Sequence, residues 1–256
     1  MTSVYNTPVD YYLTLENEQI HVNKLLGQNI KISFAGLINC IKCGRKTNKS
    51  FSQGFCYPCF TTAPEAEPAV VSPELDMAHL GISRDMEWAK THSLIDHFVY
   101  LAVSSGLKVG VTRHTQIPTR WIDQGASYAI KLAKTPYRNL AGQIEVELKK
   151  HFADKTNWRN MLANIYDSQI NLLEEKNRAS ALLSTDLRKY ITEDNEISHI
   201  SYPVLEYPTK VNSLNLDKNP VFEGKLMGIK GQYLIFANGI VMNIRSHGGY
   251  FVNFEA

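Results

Sequence analysis

The feature that most constrains how this chain can fold is a set of four cysteines in two C-x2-C pairs. Cys40 and Cys43 form the first pair, Cys56 and Cys59 form the second, and the sequence has no other cysteine. Two thiolates three positions apart on a tight turn can hold one edge of a tetrahedral zinc ion, and a second such turn closes the other edge. The spacing therefore predicts a zinc ribbon in which all four cysteines bind one structural Zn²⁺.

Two disulfides, or scattered free thiols, are the alternatives for these cysteines. Disulfide frameworks are typical of small secreted domains, whereas this chain has four cysteines in 256 residues and its first residues lack the pattern of an export signal. Thiolate metal sites persist where thiols stay reduced, so we expect a cytoplasmic protein. No apolar run reaches the roughly 18 residues of a membrane helix, so we expect no membrane partner.

Positive charge is concentrated in the cysteine segment and in the middle of the chain. Residues 31–49 contain five basic residues and no acidic one, and residues 80–160 contain twelve Lys or Arg against seven Asp or Glu. Such clusters are typical of proteins that contact phosphate backbones. We therefore expect nucleic acid, either DNA or RNA, as a partner, with Arg45 and Lys46 among the contacts. An ordinary solvated surface is the alternative.

Breaks in the hydrophobic pattern divide the chain into five segments. Alternating runs near both ends predict strands, and apolar residues at helical spacing from Trp158 to about Leu187 predict a long helix. The segments are residues 1–60 (a β segment with the zinc ribbon), 61–78 (an extended, mobile linker), 79–160 (an α/β core), 161–200 (a helical segment) and 201–256 (a small β module). The predicted fold class is therefore α+β. Each β segment is short for an independent core, so we expect the two to pack together.

The α/β core is expected to contain a hairpin followed by two helices. Residues 97–103 and 107–111 alternate as paired strands around the turn at 104–106. A first helix is expected to start near Thr119 and to run to Leu132, and a second is expected over residues 140–152.

This order of hairpin and helices resembles the GIY-YIG nuclease core. Val99–Tyr100 matches the first motif of that family, Lys108–Val109–Gly110 matches the second, and Arg120–Trp121 matches the arginine that opens the next helix. The stretch Ile144–Lys150 resembles the helix that carries the metal-binding glutamate, here Glu145. The resemblance covers roughly residues 98–158. It departs from the family at Phe98, where the first motif has glycine, and at Lys108, where the second has tyrosine.

The GIY-YIG resemblance implies a metal-dependent nucleic-acid endonuclease with a catalytic set of four residues. Tyr100 would be the base, its pKa lowered by the charge of Lys108 on the paired strand. Arg120 would hold the scissile phosphate with its fork of donors. Glu145 would bind one Mg²⁺ or Mn²⁺, mostly through water. Whether the chain is an enzyme stays open, since Lys108 replaces a family tyrosine.

Three further residues are candidates for contact with nucleic acid. Arg113 and His114 follow Gly110 and could touch a phosphate, and Asn157 resembles the polar residue that follows the family's glutamate helix. The whole layout, including residues 106–113 and 119–126, is also similar to a bacterial family known as domain of unknown function 2797. That second resemblance supports the architecture and implies no activity.

Each catalytic assignment has a structural alternative. Tyr100 could be a half-buried core residue, and Glu145 with Lys149 could be an i,i+4 surface pair. The corresponding alternatives for function are a nucleic-acid-binding zinc-ribbon protein without cleavage activity, or a zinc-stabilised protein-interaction scaffold. A catalytic Glu145 must face the same cleft as Tyr100 and Arg120, whereas a surface-pair glutamate need not.

Overall fold

The computed structural model describes residues 1–16 and 18–256. The fold is mixed α+β, with three β-sheets and seven α-helices among these residues. The chain divides into two compact units. We call Met1–Ala63, Leu162–Asn164 and Ile200–Ala256 the β unit, and Pro64–Met161 with Ile165–His199 the α/β unit. Within the described residues, no helix has the length and apolarity that crossing a bilayer requires.

The secondary structure follows the chain in this order. The strands are β1 (Thr2–Val4), β2 (Asp10–Leu15), β3 (Glu18–His21), β4 (Asn29–Asn39), β5 (Lys46–Thr47), β6 (His97–Val103), β7 (Leu107–Arg113), β8 (Tyr128–Thr135), β9 (Ile197–His199), β10 (Asn212–Ser213), β11 (Val221–Lys230), β12 (Tyr233–Phe236), β13 (Ile240–Asn243) and β14 (Tyr250–Glu255). The helices are α1 (Tyr57–Thr62), α2 (Met86–His92), α3 (Thr119–Asp123), α4 (Arg138–Leu148), α5 (Trp158–Leu162), α6 (Leu172–Leu182) and α7 (Thr185–Arg188).

The β unit is built around the long strand β4. Its larger sheet has the order β10-β13-β12-β11-β4-β14, with β5 also paired to β4, and a separate sheet has the order β1-β2-β3. Strand β4 pairs antiparallel with β11, where Lys31 lies opposite Glu223, and with β14, where Lys31 lies opposite Glu255. The two predicted β segments therefore share one sheet. The side chains of Ile30 and Ile32 on β4 are buried, as the alternating pattern predicts.

The α/β unit contains an antiparallel sheet of order β7-β6-β8-β9. The predicted hairpin is confirmed as β6 and β7, with Tyr100 directly opposite Gly110. Alternate residues of β6, among them Val99 and Leu101, belong to the buried core together with Ile144 of α4. The next residue along β6, Tyr100, is also fully buried, so both faces of this strand are covered.

The predicted helix from Thr119 to Leu132 is wrong beyond Asp123. Helix α3 ends there, Gly125 adopts a left-handed conformation with φ of 68°, and the chain continues as strand β8. Strand β8 pairs with β6 on one side and with β9 on the other. Pairing along both edges stabilises the extended conformation of a stretch that contains good helix formers.

The predicted long helix over residues 158–187 is also wrong, because it is three short helices. The first, α5, ends at Leu162, and Asn164 just beyond it lies in the left-handed region with φ of 56°, which prevents continuation of the helix. The side chain of Asn171 then accepts hydrogen bonds from the backbone N–H groups of Leu173 and Glu174 and caps α6. An asparagine followed three positions later by a glutamate is typical of a helix N-terminus. This pattern at Asn171 and Glu174 predicts a new helix, but the apolar spacing of the segment favoured one continuous helix.

The segment predicted as an extended linker forms a series of 3₁₀ turns instead. Pro64–Ala66, Pro68–Val70, Pro73–Leu75 and Ala78–Leu80 are each one short 3₁₀ helix. The backbone around Glu74 packs directly on Gly142 of α4, where no side chain would fit, and its carbonyl accepts a 2.8 Å hydrogen bond from Asn139. Prolines here begin turns rather than keep the chain extended.

Candidate functional site

The four cysteines form one cluster in the β unit. Their sulfur atoms all lie within 4.8 Å of one another, and the Sγ atoms of Cys43 and Cys56 are 3.8 Å apart. None of the four is in a disulfide. Zinc–sulfur bonds of about 2.3 Å in a tetrahedron place sulfurs about 3.8 Å apart. The cluster therefore has the donor type and spacing of a metal site, and the prediction that these residues act together is confirmed.

Local backbone geometry explains how the two pairs meet. Cys40 follows β4, and Cys56 immediately precedes α1. Gly44 and Gly54 have φ values of 71° and 141°, which side chains disfavour, so glycine supplies the turn after the first pair and before the second. The N–H of Ile41 donates to the carbonyl of Gly54 at 2.9 Å and joins the two turns.

The thiols of the cluster differ in acidity because they lie so close together. Burial opposes ionisation of Cys40, but hydrogen bonds from the backbone N–H groups of Cys56, Cys43 and Lys42 lower its pKa to about 6. Burial, and then the neighbouring sulfurs, raise the pKa of Cys59 to about 12. Ionisation of one thiol is thus favoured, and ionisation of a further thiol is opposed by the sulfurs around it. A divalent cation bound among the four sulfurs would stabilise the additional thiolates.

The two basic residues predicted to contact nucleic acid flank this cluster. Arg45 and Lys46 are both exposed, and Lys46 lies on β5. The guanidinium of Arg45 hydrogen-bonds to the sulfur of Cys43, which raises the pKa of Arg45. Arg45 is therefore held beside the metal site, while Lys46 points its charge outward from the adjacent strand.

A second cluster, in the α/β unit, contains the four residues of the predicted catalytic set. Tyr100 lies on β6, Lys108 on β7, Arg120 on α3 and Glu145 on α4. Arg120 and Glu145 each act electrostatically on both Tyr100 and Lys108. The exposed fractions are 0% for Tyr100, 4% for Lys108 and 7% for Glu145, and Arg120 is half-buried. The structure therefore brings the four side chains together in a largely buried group.

The hydroxyl of Tyr100 is held by two neighbours. It donates a 2.6 Å hydrogen bond to Oε1 of Gln124 and is also hydrogen-bonded to Arg120. Burial raises the pKa of Tyr100, the charge of Arg120 opposes that rise, and Glu145 adds to it. Arg120 is thus a cation that lowers the pKa of Tyr100, and the role of Lys108 toward Tyr100 stays a prediction.

Lys108 has an unusual environment for a lysine on a strand. Burial, followed by the nearby charge of Arg120, lowers the pKa of its amine to about 7, although Glu145 and Asp154 act in the opposite direction. At neutral pH a substantial fraction of the protein therefore carries Lys108 as a neutral amine.

Glu145 does pair with Lys149, but it is not a surface residue. The Nζ atom of Lys149 lies 3.3 Å from Oε2 of Glu145 and 3.8 Å from Oδ2 of Asp154. Oε2 is buried and has an ion-pair distance to Lys149 without the directional geometry of a hydrogen bond. Burial raises the pKa of Glu145, Lys149 lowers it, and Glu74 and Asp154 raise it further. The simple surface-pair alternative therefore fails on burial.

The other predicted nucleic-acid contacts lie away from this group. Arg113 pairs with His97 at the far end of the hairpin, three positions from Gly110, which is about 10 Å along a strand. His114 is exposed, and its Nδ1 and backbone N–H both contact the carbonyl of Asp96. Asn157 caps the start of α5 by accepting from the N–H of Asn160, which is a structural role.

Gln124 is the residue of this group that the sequence analysis missed. It follows α3 directly, four positions after Arg120, and contacts the same tyrosine hydroxyl. Residues four apart share one face of a helix, so the spacing from Arg120 was the available signal.

Comparison with known proteins shows which family the chain belongs to. No curated protein and no solved structure matches this chain. The sequence model of one family, described as "Protein of unknown function (DUF2797)", matches residues 27–252, a range that includes both the cysteine cluster and the buried group around Tyr100. The similarity to that family noted in the sequence is confirmed, and the chain belongs to the DUF2797 family.

Proposed function

We propose that this protein is a metal-dependent nucleic-acid endonuclease of GIY-YIG-like type, stabilised by a structural zinc ion at its four cysteines. The observation that carries the proposal is the convergence of Tyr100, Lys108, Arg120 and Glu145 from four separate elements. Clusters of buried titratable groups with shifted pKa values are typical of active sites. Glu145 lies close enough to Tyr100 for its charge to act on the phenol, which supports the proposal.

The order of elements supports the same proposal. An antiparallel hairpin carries Tyr100 and Lys108, a short helix carries Arg120, a third strand pairs beside β6, and a following helix carries Glu145. The GIY-YIG resemblance implies this sequence of motifs. The four cysteines lie in the β unit, outside the proposed active site, which agrees with a structural role for zinc.

Binding of the substrate phosphate is assigned to Arg120. It is the only one of the four catalytic candidates that is half-buried rather than buried, so a phosphate from solvent meets it first. Its guanidinium offers a planar fork of donors that suits phosphoryl oxygens and stays charged at every working pH. The hydrogen bond from Arg120 to Tyr100 then places the phosphate beside the tyrosine hydroxyl.

Lys108 is the better candidate for the base that takes a proton from the attacking water. Its pKa of about 7 makes the neutral amine available at neutral pH, whereas burial raises the pKa of the Tyr100 phenol. Lys108 takes a proton from the water as the water oxygen bonds to phosphorus and the bond to the leaving oxygen breaks, and the leaving oxygen takes up a proton from the Lys108 ammonium or from bulk water. Tyr100, whose hydroxyl donates to Gln124, offers its oxygen as an acceptor beside the reacting groups.

Glu145 is the residue that would hold a divalent cation. Its carboxylate is buried, and the cation nearest to Oε2 is the Nζ atom of Lys149 at 3.3 Å, so a divalent cation would take the place of that ammonium. Bound Mg²⁺ or Mn²⁺ would stabilise negative charge on the phosphoryl and leaving oxygens. When no divalent cation is bound, Lys149, whose Nζ atom lies 3.3 Å from the same oxygen, supplies the positive charge.

Incubation with labelled single-stranded, duplex and branched DNA and RNA tests the proposal directly. Products that appear with Mg²⁺ or Mn²⁺ and are absent when neither ion is added are the expected result. A protein that binds these substrates but never cuts them, with every metal tried, contradicts it.

Burial of the catalytic candidates favours one second function. Tyr100 and Lys108 are 0% and 4% exposed, so a substrate would have to displace covering residues to reach them. A nucleic-acid-binding protein that uses the same surface without cleavage needs no such movement. The cleavage assay above separates the two functions.

A further inference from the structure

The four-cysteine module carries a group of aromatic rings next to its sulfurs. The ring of Phe51 lies 5.5 Å from that of Tyr57 and 5.8 Å from that of Phe60. Tyr57 directly follows Cys56 and is 60% exposed. Two half-buried rings support this exposed tyrosine, so part of its ring is open to solvent and available for stacking.

Exposed cations surround these rings. Lys42, Arg45, Lys46 and Lys49 are all exposed, and the Nζ atom of Lys49 lies 5.2 Å from the ring centre of Phe51. The sequence from residue 19 to residue 64 contains no Asp or Glu. The charge therefore sits on the same short module as the aromatic rings, with no acidic residue interspersed along it.

Backbone hydrogen bonding fixes Arg45 beside the cysteines. The N–H of Cys40 donates a 2.9 Å hydrogen bond to the carbonyl of Arg45. The exposed side chains of Arg45, Lys46 and Lys49 therefore lie on the same short module as the aromatic rings.

We propose that the four-cysteine module binds single-stranded nucleic acid, with bases stacked on Tyr57 and phosphates contacted by Arg45, Lys46 and Lys49. Sequence-tolerant binding of single strands combines aromatic platforms with a basic path for the backbone. A duplex hides the faces of its bases, so stacking on Tyr57 selects unpaired nucleotides. This proposal rests on the proposed function, because it says that the substrate of the nuclease has unpaired bases.

Fluorescence anisotropy with the full-length, zinc-loaded protein tests this binding mode. The probes are one labelled 20-nucleotide sequence as single-stranded DNA, as single-stranded RNA and as duplex DNA, in EDTA-free buffer without added Mg²⁺ or Mn²⁺. We expect tighter binding of a single strand than of the duplex, and the DNA and RNA arms identify which strand is preferred. We also expect Tyr57→Ala to weaken single-strand binding roughly tenfold, and Tyr57→Phe to retain it.

A matched control is available on the same unit. Tyr5, between β1 and β2, is 49% exposed and lies outside the cysteine module, so Tyr5→Ala should leave affinity unchanged. Zinc content measured on every variant shows that the module stays folded. Should Tyr57→Ala lose zinc, the double variant Lys46→Ala, Lys49→Ala provides the test, because loss of two phosphate contacts should flatten the salt dependence of affinity by about 1.4 units of log–log slope.

Two results overturn the proposal. One is equal affinity for duplex and single strand. The other is a zinc-loaded Tyr57→Ala variant that binds single strands with wild-type affinity. If that variant loses zinc, the contradicting result is a double lysine variant whose affinity depends on salt as steeply as that of the wild type. Because no Mg²⁺ or Mn²⁺ is added, these outcomes do not depend on cleavage. Binding of single strands without any cleavage in the nuclease assay would support this inference and reject the proposed function. Cleavage at an equal rate in the wild type and in Tyr57→Ala, with equal affinity for single strands, would support the proposed function and reject this inference.

Discussion

Tyr100 and Gly110 face each other across the β6–β7 hairpin so closely that a methyl group at position 110 would stand 2.6 Å from the tyrosine hydroxyl oxygen. The aromatic ring thus lies over a position that must be glycine. The ring cannot move aside freely, because it is fully buried and packs edge-on against Trp121 at 6.1 Å. This contact gives a physical reason for the glycine of the second motif that does not involve backbone conformation.

Gly110→Ala should therefore destabilise the protein by about 1–3 kcal/mol, the usual effect of inserting an atom into a packed interior. Urea denaturation measures the change. Gly106→Ala is the matched control, because a methyl group there would meet no atom within 4 Å. Equal stability of the two variants would contradict the close contact between the Tyr100 ring and position 110.

The cysteine cluster should carry about one zinc ion per chain in protein purified without chelators. Replacing Cys43 by Ser should reduce zinc content and lower the thermal stability of the β unit, because metal binding contributes folding free energy directly. Lys42→Ala is the control, since Lys42 lies between two ligands but offers no sulfur. Metal analysis by mass spectrometry checks the content, and zinc-free wild-type protein would refute the assignment.

Lys230 should make the stability of the protein depend on pH. This lysine on β11 is 0% exposed, donates a 2.8 Å hydrogen bond to Oδ1 of Asn164, and has its pKa lowered by burial from 10.5 to about 8. Between about pH 8 and 10.5 the unfolded chain holds the proton and the folded chain does not. The free energy of unfolding should therefore rise with pH across this window and fall as pH drops toward 8, by up to about 3 kcal/mol.

Lys230→Met should remove this contribution and flatten the profile measured by urea denaturation from pH 7 to 10. Burial lowers the pKa of Lys108 as well, so a smaller slope of the same sign should remain in the variant. Lys225→Met, on the exposed part of the same strand, should retain the full wild-type slope. A slope that Lys230→Met leaves unchanged would mean that this amine is not neutral when folded.

The rate of cleavage should depend on the protonation of Lys108. With a pKa of about 7, the amine is protonated and inactive as a base at lower pH, so the rate should rise about tenfold per pH unit below 7 and level off above it. Lys108→Arg keeps the charge but cannot release a proton, so it should abolish cleavage. The exposed neighbour Lys150→Arg serves as control. A flat pH profile in the wild type would assign the base elsewhere.

The sequence predicted features that depend on local spacing. The C-x2-C pairs specify a cysteine cluster because ligand spacing and glycine turns are local properties, and the β6–β7 hairpin follows from two alternating runs around a short turn. The identity of β8 was not accessible in this way. Its Ala, Lys and Leu residues favour helix, and only pairing with β6 and β9, which are distant in sequence, makes it a strand.

Burial was the property of the candidate site that the sequence concealed. Spacing alone describes Glu145 and Lys149 as an ordinary surface pair, yet the glutamate is buried because α4 packs against the sheet on one side and against the turn at Pro73–Leu75. That turn comes from the segment predicted as a linker. The shifted pKa of Lys108 has the same origin, since it follows from tertiary desolvation and not from any local pattern.

The measurement that tests the central claim most directly is the cleavage rate of Glu145→Gln with Mg²⁺ or Mn²⁺. Gln keeps the size of the side chain but loses the anion that would hold the cation, so we expect a fall of about a hundredfold or more with folding and nucleic-acid affinity unchanged. Glu87→Gln, an exposed carboxylate on α2, should cleave at the wild-type rate. Full activity in folded Glu145→Gln would contradict the account.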